Sequence, residues 1–323
     1  MKTLYWLVKR EFWEHRGGFF WAPVITGGVF LLLNVMALIS GEVMGARHGL
    51  HFDLGGNHTT DIARMIQSLD AHQMQSVGAG LDIAMLSSSF LISVVFAFVA
   101  FFYYLGSLYD DRRDRSILFW KSLPISDSAT VLSKVIMAVV LAPVIVVICG
   151  LLTGLVMLML VALTLSMHGV NVWSLLMLAH PFHVIGFLIG CIPLYMLWAL
   201  PTVGWLMLCS AAAKSKPFLW AVIIPVAIGI VISWFHLLDF SFLNGTWYWR
   251  NIVPRALFSV FPGGWLRYTT QIDPSNDPQS VSDFFSLSHS YEALASVDIW
   301  IGAALGIAML AGAIWFRRWR DDS

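Results

Sequence analysis

The chain has 323 residues, of which 58% are hydrophobic and only 12% charged, and its mean hydropathy is +0.76. An ordinary soluble domain is nearer a quarter charged because its surface must be solvated, so this composition excludes a soluble globular protein and makes lipid the solvent for much of the chain. The 19 basic and 19 acidic residues cancel, which leaves no global charge to attract nucleic acid.

In chain order, the first sixteen residues predict an interfacial helix. Leu4, Tyr5, Val8 and Phe12 gather on one side of it, while Lys2, Lys9 and Arg16 recur every seven residues on another. Lys9, Arg10, Glu11 and Glu14 interrupt the apolar residues, so the segment is not a cleavable signal peptide. Beyond it, stretches free of Asp, Glu, Lys and Arg run over 17–41, 83–109, 135–213, 217–238 and 299–316. About 20 apolar residues cross a bilayer, so the third and longest of these must fold back, and Ser166–Asn171 is its best turn. Six spans result, at about 19–41, 83–109, 135–165, 180–212, 217–238 and 299–316. Pro143, Pro193 and Pro201 are expected to bend or break the third and fourth.

Lys2, Lys9, Arg10, Arg16, Arg112, Arg113, Arg115, Lys121, Lys134, Lys214, Lys216, Arg317, Arg318 and Arg320 all fall on one side of this arrangement. Only Arg47, Arg64, Arg250, Arg255 and Arg267 fall on the other, so both termini are expected in the cytoplasm. The outer loops are 42–82, which is polar, and 239–298. The second contains Trp247, Tyr248 and Trp249, then an apolar run, 253–266, broken at Pro262–Gly263–Gly264. That run reads as a short helix that dips into the outer leaflet or caps a cavity, or equally as an interfacial aromatic belt.

Chemistry-bearing motifs are scarce. No GxxxxGK[ST], HExxH or GxSxG occurs, so neither an ATPase nor another enzyme is expected of this chain, and no cofactor. His48, His51, His58 and His72 match no closed zinc spacing, and His180 and His183 read as helix-end residues. Cys149, Cys191 and Cys209 lie in apolar stretches and read as free thiols. No carboxylate or basic residue falls inside a span, where an ion-coupled carrier usually needs one.

The informative segment is the 110–134 loop between spans two and three. Asp110, Asp111 and Asp114 alternate with Arg112, Arg113 and Arg115, and mixed signs suit a protein partner better than a lipid surface. Ile117, Trp120 and Leu123 then form one apolar helix edge that Pro124 ends. With the topology, Asp111, Arg112, Arg115, Ser116, the run Leu123–Pro124–Ile125–Ser126 and Lys134 resemble the permease subunits of type-2 ATP-binding-cassette exporters. The resemblance implies an all-α membrane domain of six spans, with an N-terminal interfacial helix, a cytoplasmic coupling helix and outer capping or re-entrant helices between spans five and six. It implies a bacterial inner-membrane location and a second permease chain, identical or paralogous. A separate ATPase would bind ATP and magnesium and dock on Asp111, Arg112, Arg115, Phe119, Trp120, Leu123 and Pro124. Phe258, Phe261, Pro262, Gly263, Gly264 and Trp265 would then form an outer gate. The first outer loop is longer than in the simplest members, and the substrate stays open; the apolar spans point to a hydrophobic or amphipathic one. An ion-coupled carrier and a non-transporting scaffold are the alternative readings.

Overall fold

The computed structural model describes residues 2–48, 70–114, 125–167, 178–237, 245–269 and 284–319. All regular structure among them is helical. Six segments are long and apolar enough to cross a membrane: Gly17–Met44, His72–Arg113, Asp127–Met167, Pro181–Ala212, Pro217–Phe235 and Val297–Trp319. The N-terminal segment forms helix α1 (Lys2–Glu14), which a π turn at Gly17–Trp21 joins to α2 (Ala22–His48).

The second and third segments outrun the sequence expectation. Helix α3 (Ala71–Ser107) starts twelve residues before the charge-free stretch, because Asp70 and Gln73 close a capping box there. Asp82 is tolerated within it because both its carboxylate oxygens are used: the backbone N–H of His180 donates to one at 2.8 Å, and the ring nitrogen Nδ1 lies 3.2 Å from the other. The third segment is α4 (Asp127–Ile136), a π turn at Met137–Leu141, and α5 (Ala142–Met167). Ser126 caps α4 by accepting from the Ala129 N–H at 3.2 Å. At 42 residues, His72–Arg113 is about 63 Å long, twice a hydrocarbon core of roughly 30 Å.

The prolines do not break the spans. Pro143 follows the π turn, in which the Ala142 N–H donates to Met137 O, and such wide turns absorb an irregular residue without ending a helix. Pro193 and Pro201 lie inside α6 (Pro181–Ala212), where the Tyr291 hydroxyl donates to Gly190 O and Arg255 to Trp198 O. Helix α7 (Pro217–Leu237) follows, then a helical stretch from Gly245 that ends in α8 (Val253–Leu257). Helices α9 (Leu287–Tyr291) and α10 (Val297–Trp319) close the described chain.

Two helix pairs build the bundle. Antiparallel α3 and α5 meet where Gly150 faces Ser89 and Gly154 faces Met85. Helices α6 and α10 run in the same direction, with Gly204 against Gly306 and Leu208 against Gly312. Small residues let backbones approach closely in lipid, and Gly302-x-x-x-Gly306 supplies that seam. Phe19, Phe96, Tyr104, Leu206 and Met207 fill the core between the pairs. Spans one and five stand apart: 11% and 17% of their apolar windows are buried, against 28% or more in the other four.

Candidate functional site

At the end of the bundle that carries both termini, acidic and basic residues from four separate segments converge. Glu11 on α1 is fully buried, and its Oε1 lies 3.1 Å from Lys134 Nζ on α4 and 2.8 Å from Arg10 Nη2. Lys134 Nζ also sits 3.6 Å from Oδ1 of Asp111, in the short helix Tyr109–Arg113 that prolongs α3. The other oxygen of Asp111 is 3.0 Å from Arg317 Nη1 on α10, and Arg317 Nε is 3.2 Å from Asp127 on α4. The chain Arg10–Glu11–Lys134–Asp111–Arg317–Asp127 therefore alternates in sign and balances its own charge. Lys134 and Arg317 are each only 3% exposed. Such groups are retained in a protein interior only when paired, since each lone charge would cost several kcal/mol.

The Glu11 carboxyl reports how complete the pairing is. Burial raises its affinity for a proton, but Lys134 and Arg10 more than offset that and hold it below its ordinary 4.5. The Tyr103 hydroxyl donates to its second oxygen at 3.1 Å. Glu11, Glu14 and His15 bring three possible ligand atoms within 4.8 Å of one another. Arg10 already pairs with both Glu11 and Glu14, at 2.8 and 3.6 Å, and so compensates the negative charge that would draw a metal there.

Of the residues expected to dock an ATPase, Asp111 and Arg112 are described, and both face the fold. The Arg112 guanidinium donates to Ser210 O at 2.6 Å and Ala213 O at 3.0 Å, capping the exposed carbonyls at the end of α6. The Ser210 hydroxyl answers by accepting from the N–H groups of Leu108 and Tyr109. Arg115, Phe119, Trp120, Leu123 and Pro124 lie outside the described residues. Sequence reading missed Glu11, Asp127 and Arg317 because each sits on a different segment at a helix end, where charge looks solvated.

Away from the base, the apolar run forms a strap against the middle of α6, at Tyr195, Trp198 and Thr202. Helix α8 ends at Leu257, and Gly263 turns the chain with φ +77°, a left-handed conformation that favours glycine. Gly264 lies so close to the Trp198 indole that a Cβ would stand 2.9 Å from it. Arg255 anchors the strap: it is 9% exposed, and its guanidinium lies 3.9 Å over the Trp198 ring. It also donates to Trp198 O at 3.4 Å and to Asp298 O at 3.5 Å. Burial pushes Arg255 down to about 10, so it keeps its charge at neutral pH. Thr202 Oγ1 donates to Arg255 O at 2.8 Å and accepts from the Ser259 N–H at 2.9 Å, which stitches α6 to the strap.

The strap also lines a cavity of about 410 Å³ together with α3, α5 and α6. Pro262, Gly263 and Trp265 line it. Phe261 packs edge-on to Phe98 at 5.0 Å, and Phe258 is more than half exposed. Of the residues expected to form a gate, Pro262, Gly263 and Trp265 thus line the cavity, Gly264 packs on Trp198, Phe261 packs against the core and Phe258 is exposed.

Taken together, these features define a polytopic helical membrane protein with an ion-paired base at one end and a strapped cavity toward the other. No protein-family model, curated protein or solved structure matches the chain.

Proposed function

We propose that this chain is the membrane-spanning subunit of a type-2 ATP-binding-cassette exporter, moving a hydrophobic or amphipathic substrate with energy from a separate ATPase. The observation that carries the reading is the way the 115–124 segment is rooted. It leaves the described bundle just after Asp111 and Arg112, and re-enters it just before Asp127 and Lys134. Both roots belong to the ion-paired cluster, which also holds α1 and the end of α10. A partner pushing on that loop would move four segments as one body, which is how an interface rotation becomes a movement of spans. The partner would bind ATP and magnesium. A second permease chain would cover spans one and five, the two least buried by their own fold. An ion-coupled carrier is less well supported, because the buried charges of the base saturate one another and Arg255 is held by the Trp198 ring and two carbonyls.

Orientation in the bacterial inner membrane is tested by single cysteines at Ser128 and Ser288, both exposed, in a background lacking the three native cysteines. Ser288→Cys is expected to react with an impermeant maleimide in intact spheroplasts, and Ser128→Cys only after permeabilisation; the reverse pattern rejects a cytoplasmic base.

Docking is tested at Trp120, the largest apolar residue of the loop. Buried aromatic anchors commonly lose about 2 kcal/mol or more on truncation, so Trp120→Ala is expected to weaken ATPase binding roughly 30-fold and abolish ATP-driven export from inverted vesicles. The protein should remain inserted and monodisperse. Unchanged co-purification of an ATP-binding-cassette protein with Trp120→Ala removes the loop from the mechanism. Its absence from the parent preparation removes the exporter reading altogether.

A further inference from the structure

Residues 240–272 include Arg250, Arg255 and Arg267 and no acidic residue. Arg255 is held by the Trp198 ring and two carbonyls. The other two are exposed, and the fold draws them together: Arg267 Nη1 donates to the Arg250 backbone oxygen at 3.1 Å. Arg10, Arg113 and Arg317 each meet a carboxylate at 2.8–3.0 Å, but among the described residues none pairs with Arg250 or Arg267. The neighbouring cation feels this gathering. Burial lowers the affinity of Arg255 for its proton, and the charge of Arg267 lowers it further. Cations collected without a counter-ion create a positive potential that an external anion relieves.

Two helices fix the level of the pair. Between Asp298, whose carbonyl Arg255 holds, and Arg317 in the base, α10 rises about 28 Å, close to the roughly 30 Å of a hydrocarbon core. Residues 299–316 between them carry no charge. The Trp249 indole, next to Arg250, donates to Ser233 Oγ, where α7 has risen about 24 Å from Pro217. Pro217 itself shares a pocket with Asp110, beside the base. With the base at one face of a bilayer, Arg250 and Arg267 therefore lie at headgroup depth on the other. Trp247, Trp249 and Ile252 are exposed beside Arg250 and give it the apolar, aromatic border of an interfacial site.

The anion found at that depth in a phospholipid bilayer is the phosphodiester, and the guanidinium fork matches phosphate oxygens in pairs. A zwitterionic lipid brings its own ammonium and leaves the charge of the two arginines unbalanced, whereas an anionic one offsets it. We propose that Arg250 and Arg267 bind the phosphate of one anionic glycerophospholipid, its acyl chains starting on the apolar border. The site depends neither on the transport reading nor on which leaflet the strap faces.

The test is native mass spectrometry of the full-length protein in a neutral detergent, titrated with phosphatidylglycerol or with phosphatidylcholine of the same acyl chains. One phosphatidylglycerol is expected to bind roughly tenfold more tightly than phosphatidylcholine, the effect of setting an anionic headgroup on two basic side chains. Arg250→Gln and Arg267→Gln should each weaken phosphatidylglycerol about tenfold, the worth of a hydrogen bond to a charged group, and leave phosphatidylcholine unchanged. Both positions are exposed and glutamine keeps an N–H donor, so the fold is retained. Arg318→Gln, at an exposed cation beside the base, is the control and should change nothing. Glycerol 3-phosphate tests the source of the phosphate, and an equimolar addition is expected to displace no lipid. Equal affinity for the two lipids overturns the site, as does a preference for phosphatidylglycerol that survives Arg250→Gln combined with Arg267→Gln. Displacement by glycerol 3-phosphate overturns the lipid and makes the pair a receptor for soluble phosphate esters.

Discussion

Lys134→Met is expected to destabilise the protein by about 3–5 kcal/mol, the cost of removing one partner from a buried ion pair. The loss comes less from the missing attraction than from what is left behind. Glu11 is fully buried, and Asp111 also loses a cation at 3.6 Å. The measurement is thermal unfolding in detergent, followed by loss of monodispersity. Neutralising the stranded carboxylate should restore most of the loss, so Glu11→Gln with Lys134→Met is expected to melt well above Lys134→Met alone. Asp110→Asn, at an exposed carboxylate one residue from Asp111, is the control and should rescue nothing. If Lys134→Met melts with the parent, the four segments are not held by these charges.

The same group sets a dependence on pH whose sign follows from Glu11. Its folded value lies below its ordinary 4.5, so its contribution is complete above about 4.5 and is lost as pH falls through the depressed value. The parent should therefore weaken on acidification below 4.5. In Lys134→Met the cation that holds the value down is gone, so Glu11 takes up its proton at higher pH and the variant's stability should depend less on Glu11 below 4.5.

Much of the architecture was legible because hydropathy is a strong signal in lipid. The six spans and the break at Pro262–Gly263–Gly264 follow from runs of apolar residues and from turn chemistry. What failed was the use of charge as a boundary. Helix α3 continues outward past Asp82 because that carboxylate is bonded to His180 from another helix, a contact no local pattern announces. Pro193 and Pro201 looked like breaks because an isolated helix would lose backbone bonds there, whereas packing against other elements tolerates them. Asp111 and Arg112 were found as a charged pair but read as facing a partner; they face Lys134, Arg317 and the end of α6. Glu11 and Arg317 lie more than 300 residues apart in the sequence, and only the fold brings both into one chain of ion pairs. The Gly302-x-x-x-Gly306 seam was visible in principle, since that spacing in an apolar helix marks close backbone approach.

That seam supports the second large effect, expected from Gly306→Leu. A Cβ at Gly306 would stand 2.5 Å from the backbone carbon and oxygen of Leu200, and a backbone cannot rotate aside as a side chain does. Overpacking a tight contact costs about 1–3 kcal/mol, and a backbone obstacle places this variant at the upper end. Gly28→Leu is the control, since a Cβ there meets nothing within 4 Å. The consequence reaches both ends of the molecule, because α10 carries Arg317 into the ion-paired base and Asp298 to the Arg255 anchor of the strap. Prising α6 from α10 should therefore loosen the base before any charge is removed. Lys134→Met is then expected to cost at least 1 kcal/mol less in the Gly306→Leu background than in the parent, a non-additivity that distant, independent sites do not show. Strict additivity would mean that the two helices do not behave as one body, and an ATPase pushing at the base could not move the strap through them.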